Sequence, residues 1–235
     1  MRNLVVFRGD YTEVKWPEAV CKNIHKCIIA PMKEQGILTD IMFCTYPSDM
    51  EKLKIYETHF NPINIHYTKS GQIVNFKESL KLVHRIYQKY DYVIFLRFDI
   101  IYKINVNEWN IFTKEGVILP YRENTKLYPT EKLYGDAIIV ISKSVLSEVA
   151  YNLLGCNIDT FICLHNISTI IQIKSPDIII HRIIDGCYQS NTGLRMGDLR
   201  LNPIYIQVKY AYVGTDKHLY LECLNDVNST PFTDL

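Results

Sequence analysis

The feature that most constrains this chain is the run Tyr92-Val93-Ile94-Phe95-Leu96, which ends abruptly in Arg97-Phe98-Asp99. An unbroken apolar run of this length has no polar alternation. It predicts a strand buried on both faces, as in a parallel sheet covered by helices. The preceding segment predicts one of the covering helices. Ile73, Phe76, Leu80, Val83 and Tyr87 recur three or four residues apart, and Lys77, Glu78, Lys81, Arg85 and Lys89 fall on the other face.

The rest of the chain fits the same pattern. Leu4–Phe7, 40–46, 63–67, 117–120 and 137–141 read as short strands closed by Gly, Pro or polar clusters. Helices are expected from Pro17 through Ile28, from Ser48 or Asp49 to about His59, and from Ser142 or Ser144 to Leu154. Residues 170–173 and 178–181 read as two further strands around Ser175-Pro176-Asp177, and 203–212 as a late strand. Residues 121–135 read as a polar loop, and the tail from Asn225 is expected to fray. Strand and helix alternate, so the expected fold is α/β: a mostly parallel, Rossmann-like central sheet with helices on both faces. The 235 residues contain no linker-like stretch or repeat, so 1–235 is expected to form one domain.

Composition removes several function classes. The 26 basic and 25 acidic residues nearly cancel, which gives no reason to expect a nucleic-acid partner. The cysteines at 21, 27, 44, 156, 163, 187 and 223 are odd in number and contain no CxxC pair. A zinc site and a disulfide framework are therefore poor readings, and free thiols in a reducing compartment are expected. No apolar run approaches the ~20 residues needed to span a bilayer. Met1-Arg2-Asn3 leads into only four apolar residues, unlike a signal peptide. The expectation is a cytoplasmic protein, in the host cytoplasm if the gene is viral. No GxGxxG follows an expected strand, which disfavours a dinucleotide oxidoreductase.

The chemistry concentrates at strand ends. Asp99 stands just past the carboxyl end of a buried strand, where open α/β sheets bind ligands. A carboxylate there suits Mg²⁺ or Mn²⁺ shared with a diphosphate. Arg97 shares its side of the extended chain and could bind phosphate or orient Asp99 through a bidentate pair. An Arg–Asp pair that merely closes a strand end is the plainer alternative.

The order and spacing of these segments resemble nucleotide-sugar glycosyltransferases of the GT-A fold. The resemblance is to a group of bacterial polysaccharide clusters and large DNA viruses, in which Arg-x-Asp replaces Asp-x-Asp after a "YDYVI" strand. Here that segment is Tyr90-Asp91-Tyr92-Val93-Ile94-Phe95-Leu96-Arg97-Phe98-Asp99. Phe7-Arg8-Gly9, the strand from Asp40 to Tyr46 and Gly135-Asp136 followed by a strand match in order, over about residues 1 to 150. The resemblance implies a hexosyl- or pentosyltransferase. It would use a nucleotide-diphosphate sugar, a glycan or glycoprotein acceptor, and Mn²⁺ or Mg²⁺. Arg8, Gly9 and Thr45 would then surround the nucleotide. Arg97 would hold the diphosphate, joined by Arg195 or Arg200 from a late basic loop. Asp99 would hold the metal, with His181 as candidate second ligand and His165 as a weaker one. Asp136 would be the general base or acceptor-binding carboxylate, the alternative being an Asp that caps a turn. With Arg97 in place of the first Asp, the metal loses a ligand and Arg97 takes over part of its charge. Two rival readings remain: a sugar nucleotidyltransferase, and a catalytically inactive glycan-binding or scaffolding module.

Overall fold

The computed structural model describes residues 1–14, 16–69, 71–123, 134–156, 164–185, 187–188 and 204–207. The chain opens with β1 (Arg2–Gly9), followed by α1 (Pro17–Ile24) and α2 (Ala30–Glu34), which are joined by a wider π-type turn over His25–Ile29. Pro31 explains that turn. It has no N–H, and its ring would clash with the carbonyl four residues back, so the locally widened helix continues past it. Next come β2 (Leu38–Thr45), α3 (Met50–Phe60), β3 (Asn64–Tyr67), α4 (Gln72–Ile86), β4 (Tyr92–Arg97) and β5 (Ile100–Tyr102). The remaining elements are β6 (Val117–Leu119), β7 (Arg122–Glu123), β8 (Ile138–Ser142), α5 (Lys143–Leu154), α6 (Ile167–Lys174), β9 (Ile180–Arg182), β10 (Cys187–Tyr188) and β11 (Tyr205–Gln207).

The central sheet has seven strands in the order β3-β2-β1-β4-β8-β6-β9. Its pairings are parallel except at β8, which runs antiparallel to both neighbours. Alternate residues of each central strand enter opposite cores. Val5, Phe7, Ile94, Leu96, Ile138 and Val140 pack with Val20, Ile24 and Ile28 of the first helical segment and with Leu53, Tyr56 and Phe60 of α3. Leu4, Val6, Val93, Phe95, Ile139 and Ile141 pack with Phe76, Leu80 and Val83 of α4, with Leu146, Val149 and Leu153 of α5, and with Ile167, Ile170 and Ile171 of α6. The expected two-sided burial of Tyr92–Leu96 follows from this arrangement.

Two expectations are corrected, and one strand is added. Residues 170–173 form part of helix α6 rather than a strand. Ile167, Ile170 and Ile171 are buried at helical spacing while Ile173 stays 75% exposed, a period that a four-residue window cannot show. The polar loop after Tyr121 begins with β7, which pairs with β10. Of the late strand, Tyr205–Gln207 is described; it pairs antiparallel with β5, a strand that the sequence reading did not anticipate. Among the described residues no helix is long and apolar enough to cross a membrane.

Candidate functional site

The adjacent parallel strands β3, β2, β1 and β4 bring their carboxyl ends to one edge of the sheet. In the register, Gly9 lies beside Thr45 and Arg8 beside Arg97. Leu96 enters the α3-side core while Val6 and Phe95 enter the α4-side core, so Arg8 and Arg97 leave their strands on the same face, that of α4. Because β8 runs backwards, its beginning rather than its end reaches this edge, and Asp136, just ahead of it, arrives among the arginines. Gly135 permits that approach. A Cβ there would meet Pro120 and Tyr121 at 3.1 Å, tighter than side chains normally pack.

The result is a buried cluster of alternating charge. Arg97 grips Asp99 with two hydrogen bonds, Nε to Oδ1 at 2.8 Å and Nη2 to Oδ2 at 2.7 Å. The third Arg97 nitrogen, Nη1, lies 3.8 Å from Asp136 Oδ2. Arg8 Nη2 donates to the backbone carbonyl of Asp136. The Arg8 guanidinium rests 5.5 Å from the centre of the Phe76 ring, and its Nε has no hydrogen-bond partner. His165 Nδ1 lies 2.8 Å from the Tyr134 carbonyl, and its Nε2 faces Asp136 Oδ1 at 4.0 Å.

Burial and charge oppose each other here. Burial pulls the Arg8 guanidinium down to about 10, against the opposing pull of Asp136. For Arg97 burial works in the same direction, but the Asp99 and Asp136 carboxylates outweigh it and raise the group above its ordinary value. Asp136 is pushed upward by burial, yet His165, Arg97 and Arg8 together hold it below the usual carboxylate range.

Arg8, Arg97 and Asp99 form part of the wall of a cleft of about 590 Å³, with Gly9, Asp10 and Tyr46 on the same wall. Gly9 turns the chain out of β1 with φ +94°, a conformation that side chains with a Cβ rarely adopt. Thr45 is fully buried, and its hydroxyl donates to the Gly9 carbonyl at 2.6 Å, so it fixes that turn from behind. The sequence reading missed Asp10, Thr12, Glu13, Gly71 and Gln72, which also line the cleft. Gly71 is the N-cap of α4 and offers no side-chain cap, so the first backbone N–H groups of a 15-residue helix are left for another acceptor. A glycine, Gly71, ahead of a strong helical period was the available signal.

Of the remaining expected residues, His181 is not brought to Asp99. It sits on β9, three strand spacings from β4, or about 14 Å at the usual spacing. Its Nε2 lies 2.9 Å from the Glu115 carbonyl. Arg195 and Arg200 lie outside the described residues.

Among the described residues the donor set does not fit a protein-held divalent cation. Among the described residues no three His, Cys, Asp or Glu side chains converge on one point. Both oxygens of Asp99 already accept from a guanidinium. Two like unit charges 4 Å apart near a protein surface repel by about 4 kcal/mol, and a dication doubles that. A metal on Asp99 would face Arg97 at about such a distance.

No family model matches this chain, and no curated protein matches it by sequence. Solved structures do match in shape. A 4-diphosphocytidyl-2C-methyl-D-erythritol synthase from Anaerococcus prevotii superposes with a TM-score of 0.54 at 11% identity, over 86% of this chain and 95% of that one. A protein assigned as a glucose-1-phosphate thymidylyltransferase from Bacillus anthracis, solved with a sucrose, gives 0.52 at 11% identity, over 94% and 99%. A looser likeness, 0.48 at 11% identity over 88% and 71%, is to a Drosophila β-1,4-galactosyltransferase 7 mutant solved with manganese, UDP-Gal and xylobiose. The fold of this chain is GT-A-like: a mostly parallel α/β sheet with the candidate site at the carboxyl ends of its strands.

Proposed function

We propose that this chain transfers a sugar from a nucleotide-diphosphate sugar to a hydroxyl of a glycan or glycoprotein acceptor. One observation carries the reading: two guanidiniums, the buried Arg8 and the largely buried Arg97, stand side by side at the carboxyl edge of the sheet and line the same cleft. Cationic groups fixed where a diphosphate leaves stabilise the charge that develops as the sugar–phosphate bond breaks. In that step the anomeric carbon exchanges its bond to the diphosphate oxygen for one to the acceptor oxygen, and the acceptor hydroxyl gives up its proton.

Gly9 and Tyr46 would flank the nucleotide, with the start of α4 offering N–H groups to a phosphate. Thr45 would act by holding Gly9. Asp136 is assigned a positioning role. A carboxylate held low by Arg97, Arg8 and the facing His165 is a weak proton acceptor near neutral pH, whereas it suits the task of keeping two guanidiniums together. The acceptor proton would go to a carboxylate on the open part of the cleft wall, where Asp10 and Glu13 stand exposed.

The nucleotidyltransferase reading stays in view because a guanidinium-lined cleft would also take a triphosphate. Against it, the end of β1 and its exit, Arg8-Gly9-Asp10, hold a single glycine. A panel of nucleotide sugars, assayed with glycan acceptors for release of nucleoside diphosphate, tests the proposal. Parallel reactions hold nucleoside triphosphates and sugar 1-phosphates and are assayed for pyrophosphate. Diphosphate release with one donor supports glycosyl transfer. Pyrophosphate release would replace it with nucleotidyl transfer, and donor binding without any release would replace it with the inactive module.

A further inference from the structure

We propose that this centre takes the nucleoside diphosphate directly on the Arg8–Arg97 guanidinium pair, with no divalent cation bridging protein and phosphate. The inference rests on the nucleotide-sugar reading above and concerns how that site neutralises its ligand. Three observations on different atoms converge. Asp99, the strand-end carboxylate otherwise suited to a metal, has both oxygens in a bidentate bond to Arg97. Arg8 is 1% exposed, lines the cleft, and keeps an Nε with no partner. The second carboxylate, Asp136, gives Arg8 only its backbone carbonyl, while its side chain faces Arg97 and His165.

The charges explain the arrangement. Arg8, Arg97, Asp99 and Asp136 sum to zero when all are ionised, which lets the cluster stay buried while the cleft is empty. The Arg8 guanidinium is under-compensated within that cluster, so a phosphate oxygen supplies the acceptor it lacks. Arg97 presents a planar fork that matches phosphate as well as carboxylate and can pass from one to the other. A cation on Asp99 would have to displace Arg97 first and would then sit against its charge. The two modes of neutralisation therefore compete for the same carboxylate.

Calorimetric titration of UDP, GDP, CDP, ADP and dTDP into the intact protein, in EDTA and in Mn²⁺, tests this. One nucleotide is expected to bind in EDTA with an affinity within about threefold of that in Mn²⁺. Arg97→Ala should weaken binding in EDTA by roughly 30-fold or more, the loss of charge-assisted bonds to phosphate. Asp99→Asn, which releases the fork from its carboxylate, should keep binding in EDTA. Binding that appears only with Mn²⁺ and is lost in Asp99→Asn would overturn the inference and leave the transferase reading standing. An absence of binding in either medium would overturn both. Far-ultraviolet circular dichroism of each variant separates a lost site from a lost fold.

Discussion

The two edges of the central sheet carry clefts of nearly equal size and opposite character. At the carboxyl edge lies the cleft of about 590 Å³ lined by Arg8, Arg97 and Asp99. At the amino edge, beside the start of β4 and the end of β8, lies one of about 610 Å³ lined by Tyr92, Asp91, Glu115 and Lys143. Both edges have Arg–Asp pairs. Near the amino edge Arg2 bonds Asp40 at 2.7 Å, with the Arg2 side chain 47% exposed. At the carboxyl edge the Arg97–Asp99 pair has the same separation, with side-chain exposures of 12% and 6%. Cleft volume does not separate the two edges, whereas the burial of charge does. Water screens the first pair and contributes most of its solvation, so the pair adds little. The second pair is shielded from water, so each charge depends on its neighbours and is available to a ligand at higher effective strength.

The largest expected effect comes from removing the carboxylate that ties the buried cluster together. Asp136→Asn leaves Arg8 and Arg97 as adjacent, under-compensated cations. It should cost about 3 kcal/mol or more, a fall in Tm of roughly 6–12 °C by calorimetry. The loss should depend on acid. The native Asp136 pKa is depressed, so its contribution is complete above the ordinary carboxylate value of about 4 and is lost as pH falls through the native value. The gap in urea midpoint between wild type and Asp136→Asn should therefore narrow below about pH 4. A gap that stayed constant into acid would mean that the cluster is not held by this carboxylate.

Next in size is ligand binding. Arg97→Ala should weaken the best nucleoside diphosphate by about 2 kcal/mol or more, while Lys143→Ala at the amino-edge cleft should leave its Kd unchanged. Equal losses at both edges would dissolve the comparison. Smaller again is Gly9→Ala. Its φ of +94° strains any residue with a Cβ and should cost about 1–2 kcal/mol in urea unfolding, although nothing stands within 4 Å of an added Cβ. The smallest effect is expected from Arg2→Ala at the exposed pair, within about 1 kcal/mol. A larger loss there would show that exposure is a poor guide to the worth of these pairs.

The same contrast explains what the sequence made legible. The Tyr92–Leu96 run and the α4 period announce themselves because burial on both faces and on one face leave different patterns. Arg97 and Asp99 were legible together because they are two residues apart on one strand. Arg8 could be placed at a strand end, but its burial depends on Phe76 and Asp136, which lie 68 and 128 positions away. Asp136 stood out beside Gly135, yet the reversal of β8, which brings it among cations, is a property of the whole sheet. The two histidines show the limit most clearly. His181 ends an apolar run and His165 does not, but pairing order carries His181 to an edge strand, and the short helical turn before α6 brings His165 to Asp136. Local pattern identifies strand ends, and only topology says which of them meet.

Everything proposed above turns on the donor diphosphate lying at the carboxyl edge of the sheet. The most direct measurement is a crystal structure of the wild-type protein soaked with the nucleotide sugar that scores best in the donor panel. Density for the diphosphate is expected within hydrogen-bond distance of the Arg8 and Arg97 guanidiniums and beside the first turn of α4. Density in the amino-edge cleft, or against Asp99 with Arg97 turned away from the phosphates, would contradict it.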